Sequence, residues 1–166
     1  MEETIGDCAY GSGNTRQAFA DEDRKLVAKV SRHGRRGHIP KEEFRINLEN
    51  MTCACPTGQT THTLIKAGKW TDRHGKKHQR WAFLFDADVC STCTRRSECV
   101  KAKGRQARSI RLHPQERLLQ EARELQQSAA CKDYRQVRQA AEHRLARLVQ
   151  RGMRQARYIG RRKTLF

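Results

Sequence analysis

Acidic side chains are scarce. The 166 residues carry 18 Asp and Glu against 35 Lys and Arg, a formal net charge of +17. The shortage is uneven: residues 101–166 hold 5 acids against 18 bases, whereas residues 1–100 hold 13 against 17. A basic half of this kind points to a polyanion, most often nucleic acid. A merely solvated basic surface is the plainer alternative. Long apolar runs are missing too, and no stretch reaches the roughly 18 residues that a transmembrane helix needs. The start, MEETIGDCAY, is acidic and has no apolar segment, so it does not read as a signal peptide. A cytoplasmic protein without a membrane partner is expected. Seven cysteines in that compartment read as thiols or metal ligands rather than disulfides. Internal repeats and low-complexity tracts are also lacking, and the length suits one core with at most a small second lobe.

The first thirty residues read as strand, turn, helix, strand. Thr4 and Ile5 are β-formers, Gly11-Ser12-Gly13 is a turn, and Asn14 is an N-cap candidate for a helix to about residue 20. LVAKV (26–30) is apolar enough for a strand buried on both faces. Asp7 then falls just past the carboxyl end of the first strand, the edge where ligand sites gather in open α/β sheets. Next, EFRINLEN, TTHTLIKAG and QRWAFLFD show rough period-2 alternation, which predicts a β-rich, antiparallel middle. CSTCTRRSEC (90–99) and residues 100–108 read as loop. Pro114 suits the first position of a helix carrying Leu118, Leu119, Ala122 and Leu125. A longer helix is expected over about 132–151, with Gly152 as its stop.

Cys90-x2-Cys93-x5-Cys99 is the most specific local signal. A Cys-x-x-Cys turn offers two thiolates to one tetrahedral ion, and a third Cys six residues on can wrap back to it. Cys55 is the preferred fourth ligand and Cys53 the alternative, with His62, His74 and His78 behind them. Four thiolates select zinc, although an iron–sulfur cluster takes the same ligands. Cys8 and Cys131 have no spaced partner.

Residues 134–151, YRQVRQAAEHRLARLVQR, hold five arginines and one carboxylate, Glu142. Tyr134, Val137, Ala141, Leu145 and Leu148 form an apolar stripe at helical spacing, with Arg138 and Glu142 on its rim. That places Glu142 where the helix meets a sheet. An ion pair with Arg138 one turn back is the plain reading, and a metal ligand the sharper one.

With Asp7 at a strand end and Glu142 on a basic helix, the sequence resembles the DDE transposases of bacterial insertion sequences. IGDCAYGSGNTR looks like the segment around the family's second catalytic Asp, and YRQVRQAAEHRLARL like the segment around its Glu. CACPTGQTT, FLFDADVCSTCTRRSEC, RLHPQE and ARYIGRRKTLF are similar to the Cys-bearing subgroup. The resemblance covers nearly the whole chain and corresponds to the C-terminal portion of the catalytic domain. Two positions depart from the pattern: Tyr134-x3-Arg138 is one residue longer than usual, and Val149 stands where a lysine is usual.

The resemblance implies an α/β, partial ribonuclease-H-like core at 1–30. It implies a β-rich zinc-binding insertion at 31–110 and C-terminal helices completing the core at 111–166. It implies phosphoryl transfer on DNA, the insertion-sequence ends, by Mg²⁺ ions held by three carboxylates. Asp7 and Glu142 would be catalytic Mg²⁺ ligands, and Cys55, Cys90, Cys93 and Cys99 would hold structural Zn²⁺. Arg138, Arg144, Arg147, Arg151 and Arg154 would contact DNA, and a homodimer would be compatible with the complete enzyme. No strand carrying the family's first aspartate precedes Asp7, so a fragment inactive by itself is expected. Asp86 and Asp88 read as a strand-end turn. The rival expectation is a small zinc-stabilised nucleic-acid-binding protein without catalysis. A gene fragment unable to fold is a third.

Overall fold

Ile5 and Val27 are half-buried and buried partners at the end of a parallel strand pair, from which the fold is built outwards. The computed structural model describes residues 2–31, 38–71, 75–101 and 104–152. Strand β1 (Glu2–Ile5) pairs in parallel with β2 (Arg24–Val27), and helix α1 (Gly13–Asp21) forms the crossover. The expected βαβ-like unit is therefore present. Ser12, not Asn14, caps α1: its hydroxyl accepts from the Thr15 N–H at 3.2 Å. A side chain at Gly13 would collide with the His113 ring, so glycine lets α1 begin hard against the loop before the fourth helix.

The second strand starts and ends earlier than the expected 26–30. Its ladder stops because β1 does: the Gly6 N–H donates to Val27 O at 2.9 Å, and the chain then turns at Asp7. Leu26, Val27, Ala28 and Val30 are nonetheless buried. Arg16 of α1, itself buried, donates to the carbonyls of Leu26 and Ala28 and holds this stretch extended.

The middle is antiparallel, as its alternation indicates. One sheet has the order β3 (Arg45–Asn47), β4 (Thr52–Ala54), β5 (Thr60–Thr61). The other has the order β6 (Leu64–Thr71), β7 (Lys77–Leu84), β8 (Ser109–Arg111). Both lean on one small core of Ile39, Phe44, Cys53, Phe83, Phe85 and Ile110. The 90–99 stretch is not all loop, as α2 (Ala87–Ser91) and α3 (Arg96–Cys99) are short helices. Asp86 starts the first of them by accepting from the Asp88 and Val89 N–H groups at 2.7 and 3.0 Å, which satisfies donors a first turn leaves free.

Helix α4 (Glu116–Gln127) begins two residues after Pro114 and packs against α1, with Leu119 and Ala122 buried beside Val30. Helix α5 (Ala130–Gln150) packs on α4 and ends at Gly152, whose φ of 82° is the left-handed stop expected of glycine. The architecture is thus α/β, with a parallel pair and helices α1, α4 and α5 around it, and antiparallel sheets making up the middle.

Candidate functional site

Asp7 sits two residues beyond β1, at the carboxyl edge of the parallel pair. It is exposed, and its carboxylate accepts from the Ala9 N–H at 2.8 Å, capping a single 3-10 turn (Cys8–Tyr10). One carboxylate oxygen is thereby oriented by the backbone.

Helix α5 is tied to the same strand pair near its N-terminal end. Tyr134 donates its hydroxyl to Glu3 of β1 at 3.0 Å, and Lys25 of β2 donates to Tyr134 at 3.1 Å and to Glu3 at 2.6 Å. Lys25 and Tyr134 hold the Glu3 carboxyl below its ordinary range, and Glu3 and Tyr134 raise Lys25 in turn. Glu142 lies eight residues further along the helix, about 12 Å at 1.5 Å per residue. A broad cleft runs between these elements, lined on the strand side by Ile5, Gly6 and Cys8 and on the helix side by Tyr134, Arg135 and Arg138.

Glu142 does not meet the sheet as the helical stripe suggests. It is exposed and accepts from Arg138 Nε at 2.8 Å. No residue of α5 is buried, and Val137 and Leu145 of the stripe are 59% and 61% exposed. The reason is geometric. The parallel sheet has two strands, and Tyr134 already occupies the contact they offer. Arg144, Arg147 and Arg151 are exposed and face solvent, whereas Arg154 lies outside the described residues.

The cysteines form a second place of interest. Cys55, Cys90, Cys93 and Cys99 line one cleft beside the middle core. Cys55 stands in the turn after β4, where Gly58 at φ 89° folds CPTG back on itself. Cys90 ends on α2 and Cys99 on α3, and the Cys93 N–H donates to Cys90 O at 3.4 Å. Arg108 braces the group, donating to Cys99 O and Ile39 O, both at 3.0 Å. Burial raises the Cys99 thiol, and the other three thiols push it the same way against Arg108. Burial also acts on Cys55, but hydrogen bonds from the Thr57 hydroxyl and neighbouring backbone bring its thiol below the usual value. The Thr57 hydroxyl is 3.0 Å from Cys55 Sγ and 3.9 Å from Cys93 Sγ.

The alternative ligands fare worse. Cys53 has no exposed surface, packs in the core, and is pushed up to about 11 by burial. His78 of β7 stacks on Trp70 of β6, His62 is exposed between β5 and β6, and His74 lies outside the described residues. Four thiols are a donor set suited to zinc. Among the described residues, however, no three His, Cys, Asp or Glu side chains are placed so that they could hold a metal ion. The expectation that the sulfurs already stand together at coordination distance is not met. Asp86 caps α2 and Asp88 pairs with Arg105 at 2.9 Å, the turn roles expected of them.

A family model described as the transposase DDE domain matches residues 54–166, more than half of the chain. The chain belongs to the transposase DDE-domain family. Members of this family act on DNA and use a divalent metal, generally Mg²⁺. The matched span contains Cys55, Cys90, Cys93, Cys99 and Glu142, and Asp7 precedes it. No significant match was found among curated proteins or among solved structures. Among the described residues of this transposase-family chain, no helix is long and apolar enough to cross a membrane.

Signals within the sequence missed Glu3 and Lys25, which fix α5 on the strands. Their pairing across β1 and β2, and their meeting with a tyrosine 131 positions from Glu3, are long-range contacts that no local pattern signals.

Proposed function

We propose that the chain carries two of the carboxylates of a DNA-cleaving and strand-joining site, Asp7 and Glu142. The observation that carries this reading is the tie between α5 and β1: the helix bearing Glu142, inside the family match, is fastened at Tyr134 to the strand that leads into Asp7. Carboxylate oxygens are hard donors that suit Mg²⁺. When bound, the metal supplies charge stabilisation for the attacking and leaving oxygens of phosphoryl transfer. Asp7 presents an oxygen already oriented by the Ala9 N–H, and Arg138 holds Glu142 in place along the helix. Arg138, Arg144, Arg147, Arg151 and Arg154 attract and seat the phosphate backbone. Cys55, Cys90, Cys93 and Cys99 close on one structural zinc, which stiffens a middle lobe whose core numbers six buried residues.

Because two carboxylates leave most of the octahedral shell of Mg²⁺ to water, this chain alone binds Mg²⁺ weakly and does not cut DNA. A plasmid-nicking assay with Mg²⁺ or Mn²⁺ tests this. Intact plasmid that still binds the protein is expected. Cutting that Glu142→Gln abolishes would show that this chain suffices, and would make Asp86 or Asp88 the first candidate for a third ligand.

The second reading is a zinc-stabilised nucleic-acid-binding protein without catalysis. It is favoured by the structural tasks both carboxylates have, Asp7 as a cap and Glu142 as the partner of Arg138. Under it, Asp7→Asn and Glu142→Gln leave divalent-metal binding unchanged.

A further inference from the structure

Strands β6 and β7 form a ribbon that outruns the rest of its sheet. Strand β8 pairs with Ala82, Phe83 and Leu84, and the Leu112 N–H just after it still donates to Trp81 O at 2.8 Å, so among the described residues the strand pairing from Arg80 towards the turn is between β6 and β7. One face of the ribbon starts in the core with Leu64 opposite Phe83. By the alternation of side chains along a strand, that face continues outwards through Lys66 opposite Trp81, and then through Gln79 and Lys77 on β7. A bulge between Lys66 and Lys69 brings Lys69 opposite Gln79. Trp81 is 41% exposed, and Lys66, opposite it, and Lys69 and Lys77, further along the ribbon, are exposed too. Neither strand contains an Asp or Glu.

A large indole left half in water costs stability that a folded core would recover. Directly opposed residues on antiparallel strands have Cβ atoms about 5 Å apart, so Lys66 stands beside the indole rather than across the molecule from it. Cations that follow a backbone, with an aromatic face among them for a base, are the parts of a single-strand platform. The edge of a duplex groove offers an indole no base face on which to stack. A protein partner would need acids for the lysines and a concave apolar seat for the tryptophan.

We propose that the outer face of the β6–β7 ribbon binds an unpaired DNA strand, with Trp81 stacking on a base and Lys66, Lys69 and Lys77 neutralising its phosphates. This rests on the reading that the chain binds DNA, and adds a second surface distinct from the arginines of α5.

The chain has two tryptophans, so Trp70→Phe leaves Trp81 as the sole indole reporter. The full chain is titrated with oligothymidylate and with a duplex of equal phosphate count. The expected result is quenching of Trp81 emission by the single strand. Trp81→Ala weakens single-strand binding about 5- to 100-fold, and Trp81→Phe restores most of it. The exposed pair Lys66→Gln and Lys69→Gln lowers the salt slope without touching the core, and serves if Trp81→Ala does not fold. DNA binding without quenching, unchanged in these variants but lost in Arg144→Gln with Arg151→Gln, overturns the ribbon and leaves the DNA reading intact. A parent chain that binds neither DNA overturns both.

Discussion

The Tyr134 hydroxyl lies 3.0 Å from both carboxylate oxygens of Glu3, joining the N-terminal part of α5 to β1. Through this contact the helix with Glu142 and the strand before Asp7 share one frame. Removing the hydroxyl should loosen the helix locally. In Tyr134→Phe, amide exchange should quicken at residues 131–138, with α4 and the middle lobe unchanged. Unaltered exchange in that stretch would show that α5 is held by something else.

The same contact sets a pH window. Glu3 is depressed below its ordinary 4.5 by Lys25 and then Tyr134, so its contribution is present above the unfolded value and lost as pH falls through the folded one. Lys25 is raised above 10.5, chiefly by Glu3, so its contribution is present below the unfolded value and lost as pH rises through the folded one. The Tyr134 ring resonance should therefore report an acid midpoint below 4.5, and Lys25→Gln should move that midpoint up. A midpoint at or above 4.5 in the parent chain would contradict the latch.

Glu116 is 3% exposed and accepts from Lys41, Arg123 and the His113 N–H, the last at 3.0 Å. Glu116→Gln removes the buried charge that Lys41 and Arg123 share, leaving Arg123 with Glu42 at 3.9 Å and Lys41 with the Arg111 carbonyl at 2.7 Å. Both cations keep about a fifth of their side-chain surface, so the loss should be about 2–3 kcal/mol, below the range for fully enclosed pairs. Urea unfolding midpoints measure this, and a change under about 0.5 kcal/mol would remove the cluster from the list of what joins the middle lobe to α4.

Purified protein should carry one zinc per chain by elemental analysis. Cys90→Ser or Cys99→Ser should release it, whereas Cys53→Ala should retain it at some cost in stability. Iron in place of zinc would keep the ligands and change the metal. A metal-free protein whose four thiols all titrate with a thiol reagent would end the proposal.

Duplex binding should weaken steeply with salt, with a slope near −0.9 per phosphate contact. Arg144→Gln with Arg151→Gln should weaken all sequences alike and flatten the slope by about 2. Equal affinity at low and physiological salt would refute a phosphate-driven interface.

The βαβ start, the antiparallel middle and the last two helices were legible because each rests on local pattern: β-formers, period 2, period 3.6, and Gly152 as a stop. The cap of α1 was misplaced because Ser12 and Asn14 both suit the position, and the helix starts at Gly13 with the Ser12 hydroxyl accepting from Thr15. The short helices around Cys90 and Cys99 were hidden in a polar, cysteine-bearing stretch, and Asp86 is the cap that starts the first. Periodicity found the stripe of Val137, Leu145 and Leu148 but not that it stays exposed. Spacing says which residues share a face, and what covers that face is a tertiary matter. Spacing singled out Cys90, Cys93 and Cys99 with Cys55 as the preferred fourth; all four line one cleft, but among the described residues they do not form a group that could hold a metal ion.

The central claim is that Asp7 and Glu142 serve one metal site. Mn²⁺ titration of the full chain, read by water-proton relaxation, tests it most directly. Weak binding is predicted for the parent chain, lost in Asp7→Asn and lost equally in Glu142→Gln, with α5 still helical by circular dichroism. Mn²⁺ binding that is the same in the parent chain and in both variants would contradict the account.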